Sequence, residues 1–325
     1  MTKSTTTALV LGVLAAPVTA QVPAPLTDMV RRIFASNEFG ARQRFGPVAW
    51  IEQGAAYLAV EGSDIVRYET ATGTRTLYVP GNQLIPAGQK DPLDIEDYTV
   101  SANGRQVLVF TNSARVWRQN TRGDFWVLDR ESGALKKLGG SDGPAASLMY
   151  AKLAPGGDRA AYVRQGDIFV ERLADGRITK LSSGADSLHV NGMTDWVYEE
   201  EFALRDGFRW SPDGTKIAYL NFDMTGVGTF KLINSTDSLY PIVTPIQYPK
   251  VGTTNSAVRA GVVSATGGPT TWLAIPDDPR ENYLPRLEWA GPTQVVVQRI
   301  NRLQNSNKVI LADVEIGRAS CRERV

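Results

Sequence analysis

At 325 residues, 42% hydrophobic and 21% charged, the chain has a globular composition and room for one large or two ordinary domains. Thirty-five basic against 34 acidic residues leave a formal net charge of +1, which gives no electrostatic reason to expect nucleic acid or an anionic membrane as partner. Cys321 is the only cysteine and His189 the only histidine, which excludes a disulfide framework and a thiolate metal site, argues against a histidine-ligated metal, and leaves no cofactor to expect.

The N-terminus reads as a sorting signal over residues 1–20. Lys3 is a short basic region, Ala8 to Ala16 is an apolar run too brief to span a bilayer, and Val18-Thr19-Ala20 is a small-residue cleavage site. Cleavage after Ala20 and a periplasmic or secreted mature protein without a membrane span are the expectations. Residues 21–44 form an N-terminal segment in which Leu26, Met29, Val30, Ile33 and Phe34 predict a short helix, with Thr27 as its N-cap.

Internal repetition decides the fold class from residue 45 onward. An Asp, a Gly nine positions later and a closing apolar residue recur as Asp64/Gly73/Tyr78, Asp124/Gly133/Leu138 and Asp167/Gly176/Leu181, each predicting a hairpin with a glycine turn. A turn and strand precede the hairpins in SANGRQVLVF at Ser101, APGGDRAAYV at Ala154 and WSPDGTKIAYL at Trp210. Their turn glycines, 104, 157 and 214, are 53 and 57 residues apart, which suits four strands per unit. Radial repetition of such units predicts an all-β chain forming a partial β-propeller of four-stranded antiparallel blades over 45–314. A stacked sandwich has no reason to repeat the turn and the hairpin at that period.

Gly139-Gly140-Ser141-Asp142-Gly143 matches a G-x-S-x-G nucleophile elbow, but it follows a closed hairpin and precedes Pro144, so an inter-blade loop is expected. With His189 as the sole imidazole, no Ser-His-Asp triad is expected and no residue here is assigned a catalytic role. Asn221 to Pro276 reads as an insertion, with strands resuming at Leu287 and Val295, and the unit from Arg299 to Val314 reads as unfinished. The tail Glu315 to Val325, EIGRASCRERV, shows no strand or helix pattern; it resembles a translated sequencing-library adapter and is expected to be derived from one.

The informative segment is Asp195-Trp196-Val197-Tyr198-Glu199-Glu200-Glu201-Phe202. Three adjacent carboxylates repel one another and call for a cation. A solvated acidic turn anchored by Trp196, Tyr198 and Phe202 explains them equally well on physics alone. Successive helical residues point about 100° apart, so at most two of the three acids converge on one ligand, and the pattern does not say which two.

NGMTDWVYEEEF, followed by WSPDGTKIAY and later by YPKVG, resembles the signature region of the dipeptidyl peptidase IV family, and the likeness extends more weakly from Leu26 to Val314. The resemblance implies that Glu200 and Glu201 hold the α-ammonium of a peptide substrate with a free N-terminus, while Glu199 points away. Val116-Trp117-Arg118-Gln119 is similar to the family segment whose arginine reaches the active-site cavity. Arg118 is thereby implied to bond a substrate carbonyl oxygen and brace the glutamates. A blade-edge arginine in solvent is its plain alternative, and Arg115 lies close enough to be confused with it.

The family's ring has about eight blades followed by an α/β-hydrolase domain, so the chain corresponds to about the first half of that ring and lacks the triad. The implied function is the substrate-gating propeller part of an exported serine dipeptidyl peptidase, homodimeric in its parent form, releasing Xaa-Pro or Xaa-Ala dipeptides; the fragment alone is expected to be inactive. A stand-alone periplasmic propeller binding module is the alternative. A related oligopeptidase or acyl-peptidase that ignores free amines would lack the carboxylate pair.

Overall fold

The structure is a computed structural model that describes residues 24–36, 38–39, 46–140 and 143–324. The expected leader over 1–20, and Ser141 and Asp142 of the rejected elbow, lie outside the described residues. The chain divides into two compact units, 1–44 and 45–325. In the first, helix α1 covers Ala24–Phe34 with no buried residue. Because α1 starts at Ala24, Thr27 lies inside its first turn and is not the N-cap that the pattern predicted. Pro25 accounts for the earlier start, since its fixed φ and missing N–H suit a first helical turn.

The second unit is built of four-stranded antiparallel sheets in chain order. Sheet one runs Val48–Ile51, Ala56–Glu61, Asp64–Glu69, Arg75–Val79. Sheet two is Asp97–Val100, Gln106–Val116, Gln119–Asp129, Leu135–Lys137, and sheet three is Leu148–Leu153, Arg159–Arg164, Asp167–Arg172, Ile178–Lys180. Arg122 and Gly123 pair with Met149 and Leu148, which joins sheets two and three along an edge. Sheet four has Lys216–Asp223, Ala257–Ser264 and Thr271–Trp272, with an edge strand split into His189–Asn191 and Phe208–Trp210. Sheet five is Asn282–Trp289, Gln294–Asn301, Asn307–Asp313, Ala319–Arg324.

Strand alternation explains how the sheets stack. Val107 and Val109 pack with Leu58 and Ile65 of sheet one, whereas Leu108 between them packs with Ala160 and Tyr162 of sheet three. Ala161 and Val163 turn the other way, toward Ile217 and Tyr219 of sheet four. Ala218, Leu220 and Phe222 then face Leu287, Val295 and Ile310 of sheet five. Each central strand is apolar on both faces, so every core is shared by two consecutive sheets, as in blades stacked side by side.

The repeating turns have a local cause. Gly104, Gly157 and Gly214 sit at φ 72, 70 and 68°, and Gly73, Gly133 and Gly176 at φ 70, 73 and 71°, a left-handed conformation that favours glycine. In sheets two and four a serine closes the first turn, with Gln106 N–H donating to Ser101 Oγ and Lys216 N–H to Ser211 Oγ, both at 2.9 Å.

Two readings of the sequence are corrected. The stretch Asn221 to Pro276 is not wholly an insertion, because 257–264 and 271–272 are strands of sheet four and only the segment between 223 and 257 leaves it. Gly261 hides that strand in the sequence; a Cβ there would stand 2.8 Å from the ring of its cross-strand partner Trp272. The second correction is to the tail's lack of a strand pattern, since Ala319–Arg324 pairs with Asn307–Asp313 as the fourth strand of sheet five. Asp313 Oδ1 accepts from Glu315 and Ile316 N–H and Gly317 lies at φ 67°, as Asp129 accepts from Glu131 and Ser132 N–H before Gly133. The Asp-to-Gly spacing of four, present at Asp129/Gly133 and at Asp313/Gly317, was the available signal.

Candidate functional site

The acidic run sits on helix α2, Trp196–Phe202, in an excursion that interrupts the split edge strand of sheet four. Both halves of that strand pair with Lys216–Asp223, so the sheet continues past the break. The neck is closed by Gly207 N–H donating to Gly192 O at 2.9 Å. Gly192, at φ 72°, has no room for a side chain: a Cβ would stand 2.5 Å from Ile168 Cγ1.

At seven residues α2 is too short to be stable by itself, so its caps and packing hold it. Asp195 is the N-cap, accepting from Tyr198 N–H at 3.0 Å through Oδ1 and from Ser256 Oγ at 2.7 Å through Oδ2. Burial pushes the Asp195 carboxyl above the usual range, opposed by those hydrogen bonds. Tyr198 is fully buried, stacks edge-on against Phe222 at 4.7 Å, and its hydroxyl accepts from Leu284 N–H at 2.7 Å. Ala203, left-handed at φ 51°, ends the helix.

The three acids meet three environments. Glu199 points inward, with 3% of its side chain exposed; neither carboxylate oxygen has a hydrogen-bond partner, and Arg205 Nε is 4.0 Å away. Burial raises its pKa, Arg205 opposes the rise and Glu200 adds to it. Glu200 is 15% exposed and its Oε1 lies 2.7 Å from Arg118 Nε, an ion pair without hydrogen-bond alignment. Glu201 is exposed. The helix therefore turns one acid into the protein, half-buries the second against Arg118 and leaves the third exposed.

Arg118 arrives from sheet two. Gln106–Val116 and Gln119–Asp129 form a long hairpin whose last pair is Val116↔Gln119, leaving Trp117 and Arg118 as its turn, with Trp117 at φ 50°. Arg118 is 73% exposed beyond that turn. Arg115 donates from Nε to Trp117 O at 2.9 Å, which separates it from the acids' partner. The structure thus brings Arg118 to Glu200, whereas Glu201 stays exposed on the same helix.

Sequence reasoning missed the residues that brace this arrangement. Lys152 of sheet three pairs with Asp206, Asp206 with Arg209 NH1 at 2.9 Å, and Arg209 Nε with Glu288 Oε1 of sheet five at 2.8 Å. Burial lowers the Lys152 pKa, with Asp206 opposing it. This chain of charges fixes the C-terminal foot of the excursion to both neighbouring sheets. A cavity of about 310 Å³ lies on the Arg205 side, lined by Tyr98, Phe110, Thr121, Tyr150, Arg205 and Asp206. Burial also raises the Tyr150 phenol, helped by Glu199. Apart from Arg205 and Asp206, which share the α2 loop, no local pattern marks these residues.

His189 is engaged elsewhere, its Nδ1 2.9 Å from Asp186 Oδ1 and its Nε2 3.3 Å from Asp223 Oδ1. Among the described residues no group of three or more His, Cys, Asp or Glu side chains could hold a metal ion, and no helix is long and apolar enough to cross a membrane. The site sets a half-buried carboxylate, an exposed one and a guanidinium side by side, groups able to bind a cation and to donate to an acceptor oxygen.

Comparison with known proteins shows the family. The family model described as the dipeptidyl peptidase IV (DPP IV) N-terminal region matches residues 101–324. Similar curated proteins include a dipeptidyl peptidase 4 of Arthroderma otae, 27% identical over 95% of this chain and 40% of its own length. Another, of Neosartorya fischeri and described as "Probable dipeptidyl peptidase 4", is 31% identical over 94% of this chain and 41% of its own length. Among solved structures, Porphyromonas gingivalis dipeptidyl peptidase 4 superposes with a TM-score of 0.80 at 25% identity, over 89% of this chain and 41% of that one. The chain thus spans about 40% of the length of the curated relatives it matches.

Proposed function

Because the chain belongs to the dipeptidyl peptidase IV N-terminal region family, we propose that it is the substrate-gating, amino-terminus-recognising part of an exported serine dipeptidyl peptidase that releases Xaa-Pro or Xaa-Ala dipeptides. The observation that carries this reading is the meeting of Arg118 and Glu200 at 2.7 Å beside the exposed Glu201. A peptide's α-ammonium, with a reference pKa of about 7.7 to 8.0, is mostly charged at neutral pH and takes the place of a cation between the two acids. Arg118, already bound to one of them, turns its remaining donors to the first carbonyl oxygen of the substrate. These residues bind and orient; bond cleavage belongs to a hydrolase portion of the longer parent. The fixed distance from clamp to nucleophile then makes cleavage fall after the second residue.

The test uses the full-length enzyme. Each charge-assisted hydrogen bond to the ammonium contributes about 1.5 to 3 kcal/mol, and leaving one charge of an enclosed set unpaired costs about 3 to 5 kcal/mol. Glu200→Ala and Glu201→Ala should each lower kcat/KM on a free-amine dipeptidyl substrate by about a hundredfold or more. Near-wild-type rates in either folded variant, or equal cleavage of N-acylated peptides by the wild type, overturn the assignment.

A further inference from the structure

Sheet four carries a second excursion besides the one holding α2. Between its strands Lys216–Asp223 and Ala257–Ser264 the chain builds an arm, a hairpin of Thr229–Asn234 and Ile242–Gln247 that pairs with no other strand. A lone two-stranded hairpin is marginal in water, and this one leaves Leu232, Ile233, Leu239, Tyr240, Ile242 and Val243 exposed. Its order therefore depends on its root.

The root is shared with the clamp helix. Tyr248, the residue after the arm, donates its N–H to Gly228 O at 2.8 Å and closes the hairpin. The Tyr248 ring packs on Phe230 of the arm, centroids 5.6 Å apart, and on Trp196, centroids 4.3 Å apart. Trp196 is the first residue of α2. Where the chain re-enters the sheet, the fully buried Ser256 donates to Asp195, the cap of the same helix, at 2.7 Å. Two points on the returning limb of the arm excursion, Tyr248 and Ser256, thus converge on the cap and first turn of a seven-residue helix that carries Glu200 and Glu201. One helical turn separates Trp196 from Glu200, so a tilt at the tryptophan moves the carboxylate with it.

We propose that Tyr248 is a positioning residue for the ammonium clamp, and that the arm and helix α2 form one coupled element in which fixing the arm tightens the clamp. The inference rests on the clamp reading above. Coupling of this kind is reciprocal: an ammonium held by Glu200 and Glu201 must in turn steady the arm. The aromatic ring carries the link, because the rings of Trp196 and Phe230 both pack against it.

Two measurements on the full-length enzyme test it. Tyr248→Leu should raise KM for a free-amine dipeptidyl substrate by about 5- to 20-fold with kcat within about twofold, and Tyr248→Phe, which keeps the ring, should restore most of the affinity. Placed on Glu201→Ala, the leucine substitution should cost almost nothing more. An equal loss in both backgrounds means a structural role only and overturns the coupling. If Glu201→Ala itself costs nothing, the clamp reading has failed instead. Independently of any variant, hydrogen exchange of residues 229–247 in the wild type should slow with saturating Ala-Pro and not with N-acetyl-Ala-Pro. Unchanged exchange with Ala-Pro overturns the proposal.

Discussion

Sheets three and four share a skeleton of four positions and differ in what is threaded through it. Sheet three runs from Leu148 to Lys180 with short turns, its central strand apolar on both faces, and every buried apolar residue of its strands serves one of two cores. Sheet four shares one of these cores through Ile217 and Tyr219 and builds the next with sheet five through Ala218 and Leu220, but it opens twice, once for α2 and once for the arm. The skeleton tolerates this because its hydrogen-bonded neighbours continue across each break: Lys216–Asp223 pairs with both halves of the split strand and with Ala257–Ser264 over its whole length. The repeat supplies the buried cores and its interruptions carry the acidic helix and the arm, the arrangement expected where loops are held by a rigid scaffold.

That division can be broken by experiment. The largest effect should come from the skeleton: Phe208 is fully buried between sheets three and four, so Phe208→Ala in the full-length protein should cost about 3 to 5 kcal/mol in denaturant unfolding. Tyr240→Ala, on the arm at 80% exposure, should stay within about 0.5 kcal/mol. Similar costs for the two would erase the distinction between skeleton and excursion.

An intermediate effect is expected at the tip of the sheet-two hairpin. The Arg118–Glu200 pair leaves Arg118 mostly in solvent, so it contributes little to folding, whereas a charge-assisted bond to the substrate carbonyl is worth about 1.5 kcal/mol. Arg118→Ala should therefore lower kcat/KM about tenfold with an unchanged melting temperature. A large loss of stability would make Arg118 part of the skeleton after all.

The smallest effect sharpens the comparison inside α2 itself. Burial raises the Glu199 pKa, so the folded protein holds that proton more tightly than the unfolded chain does. Wild-type stability then falls as pH rises from the unfolded glutamate value, about 4.3, through the folded one. Glu199→Gln removes a buried charge that no hydrogen bond satisfies and should stabilise the protein by about 1 kcal/mol at pH 7, with the gain vanishing below about pH 4. Urea titrations at both pH values decide it; a destabilised variant at pH 7 would show that Arg205 compensates the charge.

Much of the fold was legible because its determinants are local. Left-handed turn glycines at 73, 104, 133, 157, 176 and 214 and apolar strands between them need only a few neighbouring residues to act, and they predicted four-stranded units. The same local logic, Asp313 four residues before Gly317, shows the tail's strand once the turn is compared with Asp129 and Gly133. Gly261 broke the pattern of a true strand because the reason for it, the ring of Trp272, lies across the sheet.

The site divides in the same way. The acidic run and its flanking aromatics stood out in the sequence, and helical geometry limited any clamp to two of the three acids. Only the tertiary structure turned Glu199 inward and brought Arg118 from another sheet to Glu200. It also set Ser256 and Tyr248 against the first turn of the helix. These contacts join segments far apart in the chain, and they form only after the shared cores have stacked the sheets. The sequence by itself determined the turns, the repeat and the acids; the packing of sheet on sheet decided which charges are buried, which are paired and which stay exposed, because burial and charge pairing depend on neighbours that no local pattern specifies.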